Sequence, residues 1–167
     1  MEKIIDKISK YHMVTNLIPG ILSLYLINML GIFYIDMSDV LKDLFVGYLA
    51  GMMISRISSV VIEPWFQAWR IVEYVPYEQF IKAEALDNKI IELQADNNMY
   101  RTFVAMFLLL LILYIGHIIP IVDDFMHSKW AILVAIAIFF VLYVLAFRKQ
   151  TKYIGKRVKN ANKQIFE

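Results

Sequence analysis

Four stretches of the chain are apolar over lengths that a soluble core of this size does not use. Residues 17–35, 102–122 and 130–147 contain no Asp, Glu, Lys or Arg. Each approaches the ~20 residues that a helix needs to cross ~30 Å of hydrocarbon. Residues 44–62 match them in length but include Arg56, whose charge costs ~3 kcal/mol or more at a bilayer centre. The chain is 60% apolar and only 19% charged over 167 residues, about the length of one domain. The expected fold is all-α: a polytopic membrane protein with four transmembrane helices.

Lys and Arg in the connecting segments set the orientation. Residues 1–16 hold Lys3, Lys7 and Lys10, residues 63–101 hold four basic residues and residues 148–167 hold seven, whereas the two remaining loops hold one each, Lys42 and Lys129. The positive-inside rule then puts both termini and the central segment in the cytoplasm, with the short acidic loops "DMSDVLKD" and "DDFMHSK" outside. The expected organisation is a cytoplasmic N-terminal segment (1–16), a transmembrane hairpin (17–62), a cytoplasmic interfacial and helical segment (63–101), a second hairpin (102–147) and a basic cytoplasmic tail (148–167). Cysteine is absent, which removes disulfides, thiol catalysis and thiolate metal sites.

The second apolar block carries an unusual pattern, "GYLAGMMISRISS" at 47–59. Gly47, Gly51, Ser55 and Ser59 recur every four residues, tracing a smooth ridge along which another helix backbone can approach closely. Arg56 sits beside that ridge, and two readings stand. It snorkels to the inner headgroups or bonds to Asn28, Tyr25 or Ser23 on the first span. Alternatively, copies packed along the ridge turn Arg56 toward a hydrated lumen, where the charge costs little and favours anions.

The central segment begins with Pro64, expected to start or kink a helix, and with Trp65, Phe66 and Trp69, which suit the headgroup level. From Pro76 no Gly or Pro occurs until Gly116, so one helix of roughly 40 residues, or ~60 Å, is expected to run into the third span. Ala83, Leu86, Ile90 and Leu93 form a stripe along it, with Tyr77, Phe80 and Ile91 on the other side. A helix apolar on two flanks wants neighbours on both: the protein's own segments, a symmetry mate or a cytosolic partner.

The tail is a basic amphipathic helix. Ile154, Val158, Ala161 and Ile165 share one face, while Arg148, Lys149, Lys152, Lys156, Lys159 and Lys163 share the other and only Arg157 strays. Its cations fit anionic lipid of the inner leaflet. They also fit the central segment, where seven acids face four bases. Nucleic-acid binding is the weakest of the three readings.

No enzyme is expected. The histidines do not converge, since His12 is cytoplasmic and His117 and His127 lie toward the outer side. Asp124 and His127 fall close together in "DDFMH", but a solvated, helix-capping turn accounts for them. No span holds an Asp or Glu to carry a proton, and no metal or cofactor is expected.

The four-span layout, with "NLIPG" entering the first span, "ISRISS" in the second and "NNMYRT" entering the third, resembles small bacterial membrane proteins of anti-phage defence systems. These include membrane accessories of RNA-guided systems and the membrane component of the Kiwa system. The resemblance implies a bacterial inner-membrane protein that acts as an oligomeric pore or membrane-perturbing effector. Its other implication is a membrane anchor or sensor that holds a cytosolic partner through the central helix and the tail.

Overall fold

The computed structural model of the chain describes residues 13–87 and 89–165, with the side chains of all but Val14 and residues 160–165. Among the described residues all regular structure is helical. Three helices are long and apolar enough to cross a membrane: Val40–Ala68, Lys89–Ile118 and Lys129–Lys159. That composition belongs to a helical membrane protein.

The first apolar helix is shorter than its apolar sequence. A wide π turn, Met13–Leu17, leads into α1, Ile18–Met29, and the apolar helix as a whole runs Thr15–Met29. Gly31, at φ +70°, ends it. The Gly31 N–H donates to the Asn28 carbonyl and the Ile32 N–H to the Ile27 carbonyl, both at 3.1 Å, and Ile32 is fully buried. This is the left-handed stop that glycine makes cheaply. The expected helix over 17–35 therefore ends six residues early.

The second begins at α2, Val40–Ile57, where the Asp39 carboxylate accepts from the Leu41 and Lys42 N–H groups at 2.9 and 3.2 Å. That contact satisfies two donors that the helix itself leaves unpaired. A π turn, Ser58–Ile62, then joins α2 to α3, Glu63–Ala68. Pro64 lacks an N–H, and the chain meets the gap by widening one turn rather than by breaking. Trp69 and Arg70, the latter at φ 57°, close α3.

The long cytoplasmic helix expected from Pro76 onward is two helices. α4, Tyr77–Leu86, ends where Asp87 turns extended (φ −135°, ψ 107°), and α5, Lys89–Ile118, starts beyond it. The Asp87 carboxylate accepts from the Lys89 N–H at 2.9 Å. Aspartate competes for backbone donors as well as glycine or proline interrupts them. The break also dissolves the expected stripe: Leu86 is 89% exposed, while Phe80, Ile90 and Leu93 turn to one shared cavity.

A short helix α6, Pro120–Met126, links α5 to α7, Lys129–Ile165. α7 carries the last apolar block and the basic tail as one rod of 37 residues, about 55 Å long.

The core sits among α1, α2 and α5. Ile54, Ile62, Ala105, Met106 and Leu110 are buried together, with Leu22, Leu26 and Ile27 against them. A Cβ placed on Gly20 would overlap the Gly47 carbonyl and crowd the Gly51 N–H, and one on Gly51 would overlap the Asn16 carbonyl. The backbones of α1 and α2 thus touch along three glycines. By contrast only 6% of α7's apolar window is buried, so α7 joins the bundle mainly through its basic half.

Candidate functional site

Residues at one end of the bundle build the site. Asn16 precedes α1, Arg56 and Ser59 flank the junction of α2 with its π turn, Arg101 lies in the first half of α5, and Lys149 to Lys156 lie past the apolar half of α7. The helix hairpins carry all of these to the same level.

Glu63 is the centre. One of its oxygens takes the Arg101 guanidinium and the other takes Lys149 Nζ at 2.9 Å. The three side chains are 9%, 17% and 26% exposed, so the cluster is largely removed from water. Lys149 Nζ also donates to the Ser59 carbonyl at 2.7 Å and to its hydroxyl at 3.1 Å. One carboxylate thereby ties α3, α5 and α7 together. Charge-assisted bonds of this kind are strong when desolvated, and the two cations balance what a lone buried carboxylate would cost.

The tail and central segment continue the contact outward. The rings of Tyr77 and Tyr153 lie 4.8 Å apart, Lys149 Nζ lies 5.8 Å from the Tyr153 ring and Lys156 Nζ 5.9 Å from the Tyr77 ring. Arg157 pairs with Glu84 at 3.3 Å. Burial, aided by the negative charge of Glu63, raises the Tyr153 hydroxyl above its ordinary 10.0. Asn97 donates to the Tyr74 hydroxyl at 3.4 Å.

These groups line a half-open cavity of about 800 Å³. Its charged lining is four cations, Arg56, Arg101, Lys149 and Lys156, against the single carboxylate of Glu63. Amides and hydroxyls face it from Asn97, Asn98, Gln150 and Tyr153, and apolar groups from Met52, Phe80, Ile90 and Leu93. Arg56 has no ion pair among the described residues. Within the described residues no group of three or more His, Asp or Glu has the arrangement of a metal site.

The residues singled out from sequence fall into separate places. Gly47 and Gly51 face α1 of the same chain. Ser55 and Ser59 line the cavity, and Ser59 accepts from Lys149. Arg56 meets none of its three expected partners: Ser23 donates to the Gly20 carbonyl at 2.7 Å, Asn28 donates across the opposite turn to the Ile35 carbonyl at 3.2 Å, and Tyr25 is exposed. On the basic tail, Lys149 and Lys156 enter the site, Arg148, Lys152 and Lys159 are exposed, and the Lys163 side chain lies outside the described residues. Arg157, off the basic face, is the residue that pairs with α4.

The histidines of the other end do converge. Asp123 Oδ1 lies 2.8 Å from His117 Nδ1 and 3.3 Å from His127 Nδ1. The carboxylate involved is Asp123 and not its neighbour Asp124, because α6 turns Asp123 back toward the end of α5.

Glu63 and Arg101 escaped the sequence reading, although a signal existed. Glu63 directly follows the second apolar block, Arg101 directly precedes the third, and Lys149 stands two residues past the fourth. Antiparallel spans in register must bring such flanking residues together. No family model, curated protein or solved structure matches the chain.

Proposed function

We propose that the chain is a four-span protein of a bacterial cytoplasmic membrane, both termini inside, that serves as a membrane-embedded anchor and sensor. In this reading the cavity receives a ligand at the inner boundary of the bilayer. Helix α4 and the basic half of α7 then present the result to a cytosolic protein. The first crossing is Thr15–Met29, which is short for the full hydrocarbon layer and is met by a locally thinned bilayer. The inside assignment rests on the excess of Lys and Arg at the site's end of the bundle.

One observation carries the reading: the Glu63 cluster joins α3, α5 and α7 around a cationic cavity, with α4 and the tail docked on its outer side. A ligand there contacts the spans and the cytosolic helices at once. Coupling of this kind needs a site that both parts share.

Hydrogen exchange on the full chain in lipid nanodiscs tests the coupling. Amides of 77–86 and 149–158 are expected to exchange as one unit, and Glu63→Gln to speed both together while 105–115 stays protected. Independent exchange of the two segments, or no response to Glu63→Gln, would refute it.

An oligomeric pore is the second reading. It is favoured by the exposed apolar face of α7, which is free for lipid or further copies of the chain.

A further inference from the structure

The cavity's chemistry identifies its ligand more closely than its position does. Glu63 already engages Arg101 and Lys149, which among the described residues leaves Arg56 and Lys156 as lining cations without a carboxylate. Arg101 is itself only partly used: its buried Nε–H has no hydrogen-bond acceptor within the described residues. A guanidinium offers five donors in a fixed fork and accepts nothing, so Arg101 keeps donor capacity beyond its bond to Glu63.

Two guanidinium groups and two ammonium groups around one space suit an anion with several oxygens. Arginine matches phosphate geometry better than lysine does, and lysine adds a point charge. The volume, about 800 Å³, is far larger than a bare anion and falls within the range of small-molecule sites. Phe80, Ile90 and Leu93 on the lining provide an apolar wall for whatever the anionic group is attached to.

We propose that this cavity binds a phosphate ester. The phosphate sits beside the Glu63 cluster in the field of the four lining cations, and Phe80, Ile90 and Leu93 cover its organic part. The inference rests on the sensor reading and names the ligand's chemical class. The phosphate comes either from the headgroup of an anionic phospholipid, since the cavity lies where the apolar blocks end, or from a soluble phosphorylated small molecule.

The test uses the full chain in a phosphate-free maltoside detergent after removal of bound lipid. Thermal unfolding is followed while glycerol 3-phosphate, or short-chain phosphatidylglycerol, is added at constant ionic strength, with sodium acetate as the anion control. A ligand that binds only the folded chain raises its midpoint. The midpoint is expected to rise with one of the two phosphate probes and not with acetate. A response to phosphatidylglycerol alone assigns the source to lipid, and a response to glycerol 3-phosphate assigns it to a soluble ester. Apparent affinity should fall about tenfold for each cation removed in the Arg56→Gln/Lys156→Gln pair. Both residues lie outside the Glu63 cluster, so the variant is expected to fold. Lys129→Gln removes an exposed charge at the opposite end of the bundle and should leave binding intact.

Acetate acting as well as phosphate, Lys129→Gln losing as much as the pair, or no response to either probe would overturn the proposal. These outcomes are separable from failure of the sensor reading. A phosphate that binds without altering exchange over 77–86 and 149–158 leaves the ligand class standing and removes the signal.

Discussion

Lys149 and Glu63 stand 86 residues apart in the chain, yet Lys149 Nζ donates to Glu63 Oε1 at 2.9 Å with both side chains largely withdrawn from water. The contact fixes the last helix to the rest of the molecule just past its apolar half. Above that level α7 is almost bare toward the bundle. The position of α7 therefore depends on electrostatics more than on apolar packing.

Removing the carboxylate should be more damaging than removing either cation. Glu63→Gln leaves Arg101 and Lys149 without their shared counter-ion. Loss of one partner in a buried pair costs about 3–5 kcal/mol, and the partial exposure of Lys149 reduces this to about 2–4 kcal/mol. Lys149→Met leaves Glu63 still paired with Arg101 and should cost about 1 kcal/mol. Denaturant unfolding in mixed micelles measures the difference; equal losses for the two variants would mean that the cluster is not shared.

Two glycines should respond in opposite directions. A side chain at Gly51 meets the Asn16 backbone, which cannot rotate away, so Gly51→Ala should cost at least the ~1–3 kcal/mol of an overpacked core. Gly155 lies in α7 with open space around it. Gly155→Ala should therefore stabilise by about 0.5–1 kcal/mol through the unfolded chain. The same unfolding assay reads both signs.

Tyr153 offers a pH signature of the docked tail. Its hydroxyl is raised because burial and Glu63 disfavour the anion. The unfolded chain loses this proton near pH 10 and the folded chain only above that, so the contribution is whole below pH 10 and declines as pH rises past it. In a tyrosinate absorbance titration, the wild type minus Tyr153→Phe difference should have its midpoint above 10. A midpoint at or below 10 would mean that the tail does not rest on the central segment.

Much of this was legible before the structure. Charge-free blocks marked the apolar helices because hydrocarbon tolerates few charges, and the four-residue recurrence at Gly47 and Gly51 marked a surface of close approach. The end of α1 was less visible, although Gly31 is an ordinary helix stop; apolar residues on both sides of it masked the signal. The Asp87 break carries neither Gly nor Pro, and an aspartate that interrupts a helix looks in sequence like any solvated helix charge. Lys149 stood out on the basic face of the tail, but Glu63 and Arg101 read as loop charges that set orientation. Their register against the ends of the apolar blocks held the information that composition averaged away.

Orientation can be read with single cysteines, because the chain has none of its own. Cysteine at Ser38 or His127 should react with an impermeant reagent added to intact cells. Cysteine at Leu86, 89% exposed at the end of α4, should react only after the membrane is opened. Labelling of Leu86→Cys in intact cells would invert the arrangement and with it the cytosolic role of the cavity.

Arg56 separates the sensor from the pore. In a pore built along the small-residue edge, Arg56 lines a shared lumen, and Arg56→Leu alters anion conductance in planar bilayers. In the arrangement described here, the stretch of that edge at Gly47 and Gly51 is occupied by α1 of the same chain. Arg56 instead borders a cavity at the end of the spans. Purified protein is then expected to give no steady conductance above that of the lipid alone. Arg56→Leu should change stability by less than about 1 kcal/mol, as for an exposed charge with no ion pair among the described residues, while weakening the response to phosphate about tenfold. A steady wild-type current whose anion selectivity disappears in Arg56→Leu would give the pore reading precedence.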